Sequence, residues 1–336
     1  MEPVRTAVPG DFGAPGRSPR FDVNPGGASA SSSLGRVLRI AAGVYHVDDS
    51  TAIIQASLRG RVKRTDSRIV SVGDLVELER VGEEMRIVRL GPRHSALARH
   101  GVSKRREQVI VANVDQVAVV VAVAAPTPDF LMVDRLLALA ALSEIEAFLI
   151  VNKMDLAAPA PVREAGGEPA GDDLNQYARL GVETMWTSAE SAEGLEALAR
   201  RLAGSVTVLS GQSGVGKSSL LNVLVPGLDL RVGEISERRG RGRHTTVASA
   251  LYRYPYGGYV ADTPGLQYLA LWDLDPAELQ RGFVEIAAAS EGCRFADCRH
   301  RVEPNCAVVG AVERGTIGRR RLESYLRLLD EAEKGR

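Results

Sequence analysis

The apolar run Val206-Thr207-Val208-Leu209 leads into Gly211-Gln212-Ser213-Gly214-Val215-Gly216-Lys217-Ser218-Ser219, and that junction restricts the fold more than any other stretch of the chain. Glycine at 211, 214 and 216 lets successive backbone N–H groups turn toward one anion, and a helix starting near Lys217 points the positive end of its dipole at the same place. A strand, loop and helix joined in this way belong to a parallel α/β sheet and form a phosphate cradle. Lys217 is placed to reach the β- and γ-phosphates of a nucleotide, and Ser218 to ligate the Mg²⁺ that bridges them. A glycine-rich turn can serve structure alone, but the chain carries only five lysines, and two of them, Lys153 and Lys217, fall inside nucleotide motifs.

The second such motif is Asn152-Lys153-Met154-Asp155, which ends the apolar run Phe148-Leu149-Ile150-Val151. Asp155 can accept from both N1–H and the exocyclic amine of guanine, while Lys153 packs along the base. Adenine lacks those donors, and a carboxylate left unpaired is costly, so one residue can set the nucleotide preference. Thr187-Ser188-Ala189 matches the loop whose backbone touches the guanine oxygen, a weak signal that gains weight from its position. Asp262-Thr263-Pro264-Gly265 follows an apolar segment downstream of the phosphate loop, where the carboxylate faces Mg²⁺ through water and the Gly265 N–H senses the γ-phosphate. An ordinary GTPase presents its phosphate loop before its guanine loop. Here the order is reversed, as in a circularly permuted GTPase, and a parallel sheet that brings every loop to one edge allows this.

At 336 residues the chain can form two or three domains, and 45% hydrophobic content with zero net charge describes a soluble globular protein. The longest apolar stretch, Val117 to Pro126, is too short to cross a bilayer and reads as a buried parallel strand. Nothing resembles a signal peptide, so the expectation is a cytoplasmic protein with no membrane partner. Residues 1–35, rich in Gly, Pro, Ser and Ala, read as a disordered extension. Over 36–95 the pieces Arg36 to Ile40, Gly43 to Val47, Ala52 to Leu58, Leu75 to Leu78 and Ile87 to Leu90 predict a five-stranded barrel of the OB type. Arg59, Arg61, Lys63, Arg64 and Arg68 cluster inside it, and Arg93, Arg99, Lys104, Arg105 and Arg106 in the linker beyond, as RNA-backbone contacts or as solvated charge.

Residues 96–290 alternate strands and helices in the manner of a doubly wound sheet. Strands are expected at Val109 to Ala112, Val117 to Val123, Ala147 to Val151 and Ser205 to Leu209, with an antiparallel pair around Leu251 to Tyr254 and Tyr259 to Ala261. Helices are expected at Asp129 to Leu142, Leu174 to Leu180 and Gly194 to Leu202, and a loop over Pro159 to Gly171. Between the phosphate loop and Asp262, the run Arg238-Arg239-Gly240-Arg241-Gly242-Arg243-His244-Thr245-Thr246 is basic and free of hydrophobic anchors, a mobile switch whose threonine, Thr246 by preference, reaches Mg²⁺ only when the γ-phosphate is present.

A third domain, 291–336, opens with Cys293, Cys298, His300 and Cys306, which include all three cysteines of the chain. Three thiolates and an imidazole suit one tetrahedral Zn²⁺, and an odd count argues against a disulfide framework; a labile redox site is the alternative. Gly315 to Glu331 reads as a helix headed by Arg319, Arg320 and Arg321, which touch RNA or solvent. Two rival classes share parts of this pattern. A P-loop ATPase or kinase is opposed by Asp155, and a zinc-containing RNA-binding regulator with a vestigial pocket by the intact Lys217, Ser218 and Asp262.

From about Gly35 to its end the chain resembles the RsgA (YjeQ/YloQ) family of ribosome small-subunit-dependent GTPases. The barrel, Asn152 to Asp155, Gly211 to Ser219, Gly240-Arg241-Gly242-Arg243-His244-Thr245-Thr246, Asp262 to Gly265 and the Cys-Cys-His-Cys set occur in the family's order. The resemblance implies a late-assembly factor that binds the 30S subunit and 16S rRNA, hydrolyses GTP to GDP and phosphate, and thereby leaves the mature subunit; a monomer is expected. Leu266 stands where many GTPases carry a water-orienting glutamine, which an aliphatic side chain cannot replace. His244 is the candidate substitute, organised when the ribosome orders its loop.

Overall fold

The computed structural model describes residues 32–58, 69–100, 107–157, 170–230, 249–262 and 276–334. In chain order its elements are β1 (Ser32–Ala41), β2 (Val44–Asp48), β3 (Ile53–Leu58), β4 (Leu75–Val81), β5 (Glu84–Leu90), β6 (Ala96–His100), β7 (Glu107–Ala112), β8 (Gln116–Ala122), α1 (Phe130–Leu142), β9 (Glu146–Asn152), α2 (Ala170–Arg179), β10 (Thr184–Trp186), α3 (Leu195–Leu202), β11 (Val206–Gly211), α4 (Lys217–Leu224), β12 (Ala250–Arg253), β13 (Tyr259–Asp262), α5 (Pro276–Arg281), α6 (Val284–Ser290), α7 (Ala307–Glu313) and α8 (Arg319–Lys334). Strands β1 to β5 close a barrel in the order β1-β2-β3-β5-β4, and a six-stranded sheet has the order β10-β9-β8-β11-β13-β12. Among the described residues no helix is long and apolar enough to cross a membrane.

The chain divides into two compact units. The first holds the barrel. Alternation along its strands sends Val37, Val47, Ala56, Val76, Leu78 and Ile87 inward to one core, and the parallel β3–β5 pair closes a sheet that is otherwise antiparallel. Register shifts in β1 and in the β4–β5 pair supply the local bending that so small a barrel needs. β1 starts at Ser32, ahead of its expected start at Arg36, because pairing from Ser32↔Glu79 to Arg36↔Leu75 extends a segment of weak intrinsic strand propensity.

In the same unit β6 and β7 form an antiparallel ribbon. The stretch after Arg93, expected to be a linker, therefore contains a strand, and β7 lies in this ribbon and outside the six-stranded sheet. Arg93, a candidate RNA contact by sequence, is committed internally: Nε donates to Asp74 Oδ1 at 2.6 Å and Nη2 to Asp74 Oδ2 at 2.7 Å. The barrel is joined to β12 and β13 through Asp48, a carboxylate 3% exposed. Arg253 donates to both its oxygens, and the Tyr259 hydroxyl donates to Oδ2 at 3.1 Å. Burial alone would raise the Asp48 pKa, but the hydrogen bonds from Arg253 and from the Ser50 backbone hold it below the usual range. β13 then pairs parallel with β11 and antiparallel with β12.

The second unit contains β9 and β10, paired in parallel, and the helices α1, α2 and α5 to α8. Asp129 caps α1 by accepting from Met132 N at 3.1 Å. The C-terminal helices do not stand apart from α1, because one apolar cluster runs from Ala138 through Leu279, Phe283 and Ile286 to Tyr325, Leu328 and Leu329. Arg320 and Arg321, expected at an RNA or solvent face, are internal. Arg321 Nη1 donates to the wholly buried Asp134 at 2.7 Å, and Arg320 Nε donates to Asp173 at 2.8 Å while its guanidinium lies 3.8 Å from the Phe130 ring centroid.

Candidate functional site

β11 delivers the phosphate loop, and steric limits define its path. At Gly211 a Cβ would fall 2.0 Å from Val120 O, so only glycine permits the strand to leave the sheet there. Gly216 has φ +95°, and a Cβ on it would lie 2.4 Å from Asn152 Nδ2. Ser213 and Gly214 are exposed at the tip, Val215 is buried, and Gln212, Ser218 and Ser219 are half-buried. Lys217 and Ser218 open α4, and the start of a helix is where backbone N–H groups and the positive end of the dipole face an anion.

The guanine loop follows β9. Asn152, 1% exposed, donates from Nδ2 to Val215 O at 2.9 Å and accepts at Oδ1 from Thr187 Oγ1 at 3.3 Å. Asn152 thus fastens the loop after β9 to the glycine-rich loop 63 residues away in sequence. Lys153 adopts the left-handed conformation with φ +66°, and its Nζ donates to Ala125 O at 2.5 Å. Met154 to Leu156 form a 3₁₀ turn held by Met154 N donating to Thr187 O at 3.1 Å.

Asp155 is exposed toward solvent on this turn. The buried Ser188 donates its hydroxyl to Asp155 Oδ1 at 2.5 Å. Ser188 Oγ also accepts from the backbone N–H groups of Ser191 and Glu190, at 3.0 and 3.2 Å, which fixes the direction of its own proton. One carboxylate oxygen of Asp155 is therefore held by Ser188, while the side chain as a whole remains exposed. The Thr187-Ser188-Ala189 tripeptide, weak as a motif, here supplies an anchor for Asn152 through Thr187 and one for Asp155 through Ser188, and Ala189 after them is half-buried.

Asp262 is the last residue of β13, in register with Leu209 of β11 and Ala250 of β12. His244, Thr246, Gly265 and Leu266 lie outside the described residues, as do Arg59 to Arg68 and Lys104 to Arg106.

Cys293, Cys298, His300 and Cys306 converge, their ligand atoms all within 4.8 Å of one another. Cys293 Sγ is 3.8 Å from Cys306 Sγ and 3.7 Å from His300 Nδ1, and His300 Nδ1 is 3.3 Å from Cys306 Sγ. Tetrahedral ligands at zinc–sulfur and zinc–nitrogen distances stand about 3.5–3.8 Å apart, so the donor set fits that ion in chemistry, and Cys293, His300 and Cys306 stand close to that spacing. Burial pushes Cys298 up to about 12 and lowers His300, whereas backbone N–H groups of Ala307 and Val308 outweigh burial and pull Cys293 down. The loop between the ligands is shaped by Glu303, which sequence gave no reason to single out. Its carboxylate accepts from the backbone N–H of Arg299, Arg301 and Val302 at 2.7, 2.8 and 3.0 Å. Burial would raise its pKa, but these bonds hold it at about 2.

The description "RsgA GTPase" belongs to the family model that matches residues 90–272. The small ribosomal subunit biogenesis GTPase RsgA of Gemmatimonas aurantiaca is 41% identical over 308 residues, 90% of this chain and 98% of that protein. The protein of the same name from Moorella thermoacetica is 41% identical over 298 residues, 88% and 96% of the two chains. Among solved structures, YjeQ from Thermotoga maritima superposes with a TM-score of 0.70 at 33% identity, over 90% of this chain and 99% of that one. YloQ, a circularly permuted GTPase, gives 0.68 at 27% identity over 91% and 97%.

Proposed function

The chain belongs to the RsgA GTPase family and is a GTPase, and from that premise we propose that it acts in biogenesis of the small ribosomal subunit, hydrolysing GTP on that particle and leaving it afterwards. The observation that carries the nucleotide reading is the Asn152 to Val215 bond, since it joins a base-reading loop to a phosphate loop as a guanine nucleotide requires. In this reading Asp155 accepts from guanine N1–H and the exocyclic amine, and the Gly211 to Gly216 backbone with Lys217 surrounds the phosphates. Ser218, Thr246 and, through water, Asp262 would hold the Mg²⁺ that comes with GTP and neutralises charge developing on its phosphates. Cys293, Cys298, His300 and Cys306 would hold one structural Zn²⁺, which adds folding energy to a loop with few apolar anchors.

Hydrolysis is slow in the free protein, because Leu266 cannot orient water, and His244 takes that role when the protein is bound to 16S rRNA. The particle is then the activator. GTP turnover by the purified protein, measured alone, with 30S subunits and with 50S subunits, tests this, with Lys217→Ala as background. Stimulation by 30S alone is expected. Tight GTP binding without stimulation would leave a nucleotide-binding module with another activator.

A further inference from the structure

Gln280, on α5, is not among the four metal-ligating residues, yet it meets them through His300. Its Oε1 is 3.2 Å from His300 Nε2, its Nε2 is 2.7 Å from Ser290 Oγ, and Ser290 Oγ is 2.6 Å from Ala287 O. Donor bookkeeping along this chain has one solution. A carbonyl oxygen only accepts, so the Ser290 hydroxyl gives its proton to Ala287 O and its oxygen is left to accept. The amide nitrogen of Gln280 donates to it, which turns Gln280 Oε1 toward the imidazole. That oxygen also only accepts, so His300 carries its hydrogen on Nε2, and a neutral ring then has its lone pair on Nδ1. Nδ1 is the atom that lies among the thiols of Cys293 and Cys306.

We propose that Gln280 is a positioning residue for the metal: it holds His300 in the Nδ1-ligating tautomer and orientation, and Ser290 holds Gln280 in the amide orientation that does so. This rests on the zinc reading of the cluster and adds to it a support outside the ligand set. With the amide reversed, an N–H would face Nε2 and favour the tautomer whose hydrogen sits on Nδ1, pointing a proton at the thiols and removing a ligand. Support of this kind sets both ligand geometry and basicity, and its loss costs roughly 10- to 100-fold in metal affinity.

The test uses the full chain purified with zinc. Metal content is measured first, then the rate of zinc transfer to a chromogenic chelator, with GTP affinity as the check that the remainder is folded. A wild-type protein without about one equivalent of zinc overturns the zinc reading itself, whatever the variants do. With zinc present, Gln280→Leu is expected to release it roughly 10- to 100-fold faster, Ser290→Ala to fall between Gln280→Leu and wild type, and Gln280→Glu, which keeps an acceptor at Nε2, to release no faster than wild type. Release from Gln280→Leu at the wild-type rate overturns the proposal. So does release from Gln280→Glu as fast as from Gln280→Leu, since the amide would then matter only for packing. Should Gln280→Leu fail to fold, Ser290→Ala against Gln280→Glu decides the question by the same ordering.

Discussion

Removing the charge of Arg321 exposes how strongly α8 is fixed to α1. Arg321 is 4% exposed, and its guanidinium serves two carboxylates, Asp134 Oδ1 at 2.7 Å and Glu285 Oε1 at 2.6 Å. Burial alone would weaken its hold on the proton, and Asp134 and Glu285 more than restore it. Asp134 is wholly buried. Its Oδ1 also takes the Tyr177 hydroxyl at 2.6 Å, while Oδ2 has no hydrogen-bond partner among the described residues and stands 3.8 Å from Arg320 Nη1. Arg321→Met keeps most of the stem and strands the carboxylate, a one-sided loss that costs about 3–5 kcal/mol in a buried pair. At about 1.4 kcal/mol per tenfold, that is a loss of roughly two to three and a half orders of magnitude in hydrogen-exchange protection of the α8 amides. Asp134→Leu combined with Arg321→Met removes the buried Asp134 charge but leaves the Tyr177 hydroxyl without its acceptor and Glu285 without its guanidinium, so it should regain only part of the protection. A loss under about tenfold for Arg321→Met, or a double variant worse than the single one, would refute the reasoning.

Gly216→Ala forces a side chain into the left-handed region and onto Asn152 Nδ2. Backbone strain of about 1–2 kcal/mol plus a lost hydrogen bond of about 1 kcal/mol weakens GTP binding roughly 30- to 150-fold by calorimetry, and an affinity within threefold of wild type would contradict the clash. Asp155→Asn keeps the bond from Ser188 but turns an acceptor into a donor, so GTP affinity should fall on the order of 100-fold while xanthosine triphosphate, with a carbonyl in place of the amine, gains; equal losses for both nucleotides would argue against base contact by Asp155. Tyr259 and Tyr325 are pushed up to about 12, first by burial. A raised pKa means stability fully present below the ordinary tyrosine range and lost as pH rises through the folded value, so denaturation midpoints should fall between about pH 10 and 12 together with the rise of tyrosinate absorbance. Tyrosinate forming at pH 10 in the folded protein would remove the basis for this.

The parts legible in the sequence were those set by local rules. Glycines at 211 and 216 declare a backbone approach that the structure places against Val120 and Asn152, and the alternation of Val37, Val47, Leu78 and Ile87 declares a barrel wall. The convergence of Cys293, Cys298, His300 and Cys306 declared itself because three cysteines and a histidine share one short segment. What failed were basic residues. Arg93, Arg320 and Arg321 read as RNA or solvent contacts because a cation carries no mark of its partner, and Asp74, Asp134 and Glu285 lie 19, 187 and 36 residues from the arginines they bind. β6 was hidden for a related reason, since Ala96-Leu97-Ala98 gives one strong apolar position and the pairing with β7 supplies the rest. Gln280 had no signal at all, because an amide acquires a role only from the two groups on either side of it.

The reversed motif order is consistent with an intact site because each motif belongs to the end of its own strand. β9 ends at Asn152 and its parallel neighbour β10 runs into Thr187; β11 ends at Gly211 and its parallel neighbour β13 at Asp262. Permutation changes only which of these ends are joined by which connection, and closure entropy grows slowly with connection length, about 0.6 kcal/mol per doubling. What the order does change is covalent neighbourhood. In an ordinary GTPase the strand bearing the Asp262 motif is followed by the guanine-reading half of the sheet. Here that half comes first, and the chain leaving Asp262 leads instead to α5, where Gln280 meets the imidazole of His300. The Asp262-Thr263-Pro264-Gly265 motif and α5, the helix that carries Gln280, are thus neighbours in the sequence, an order that the permutation provides.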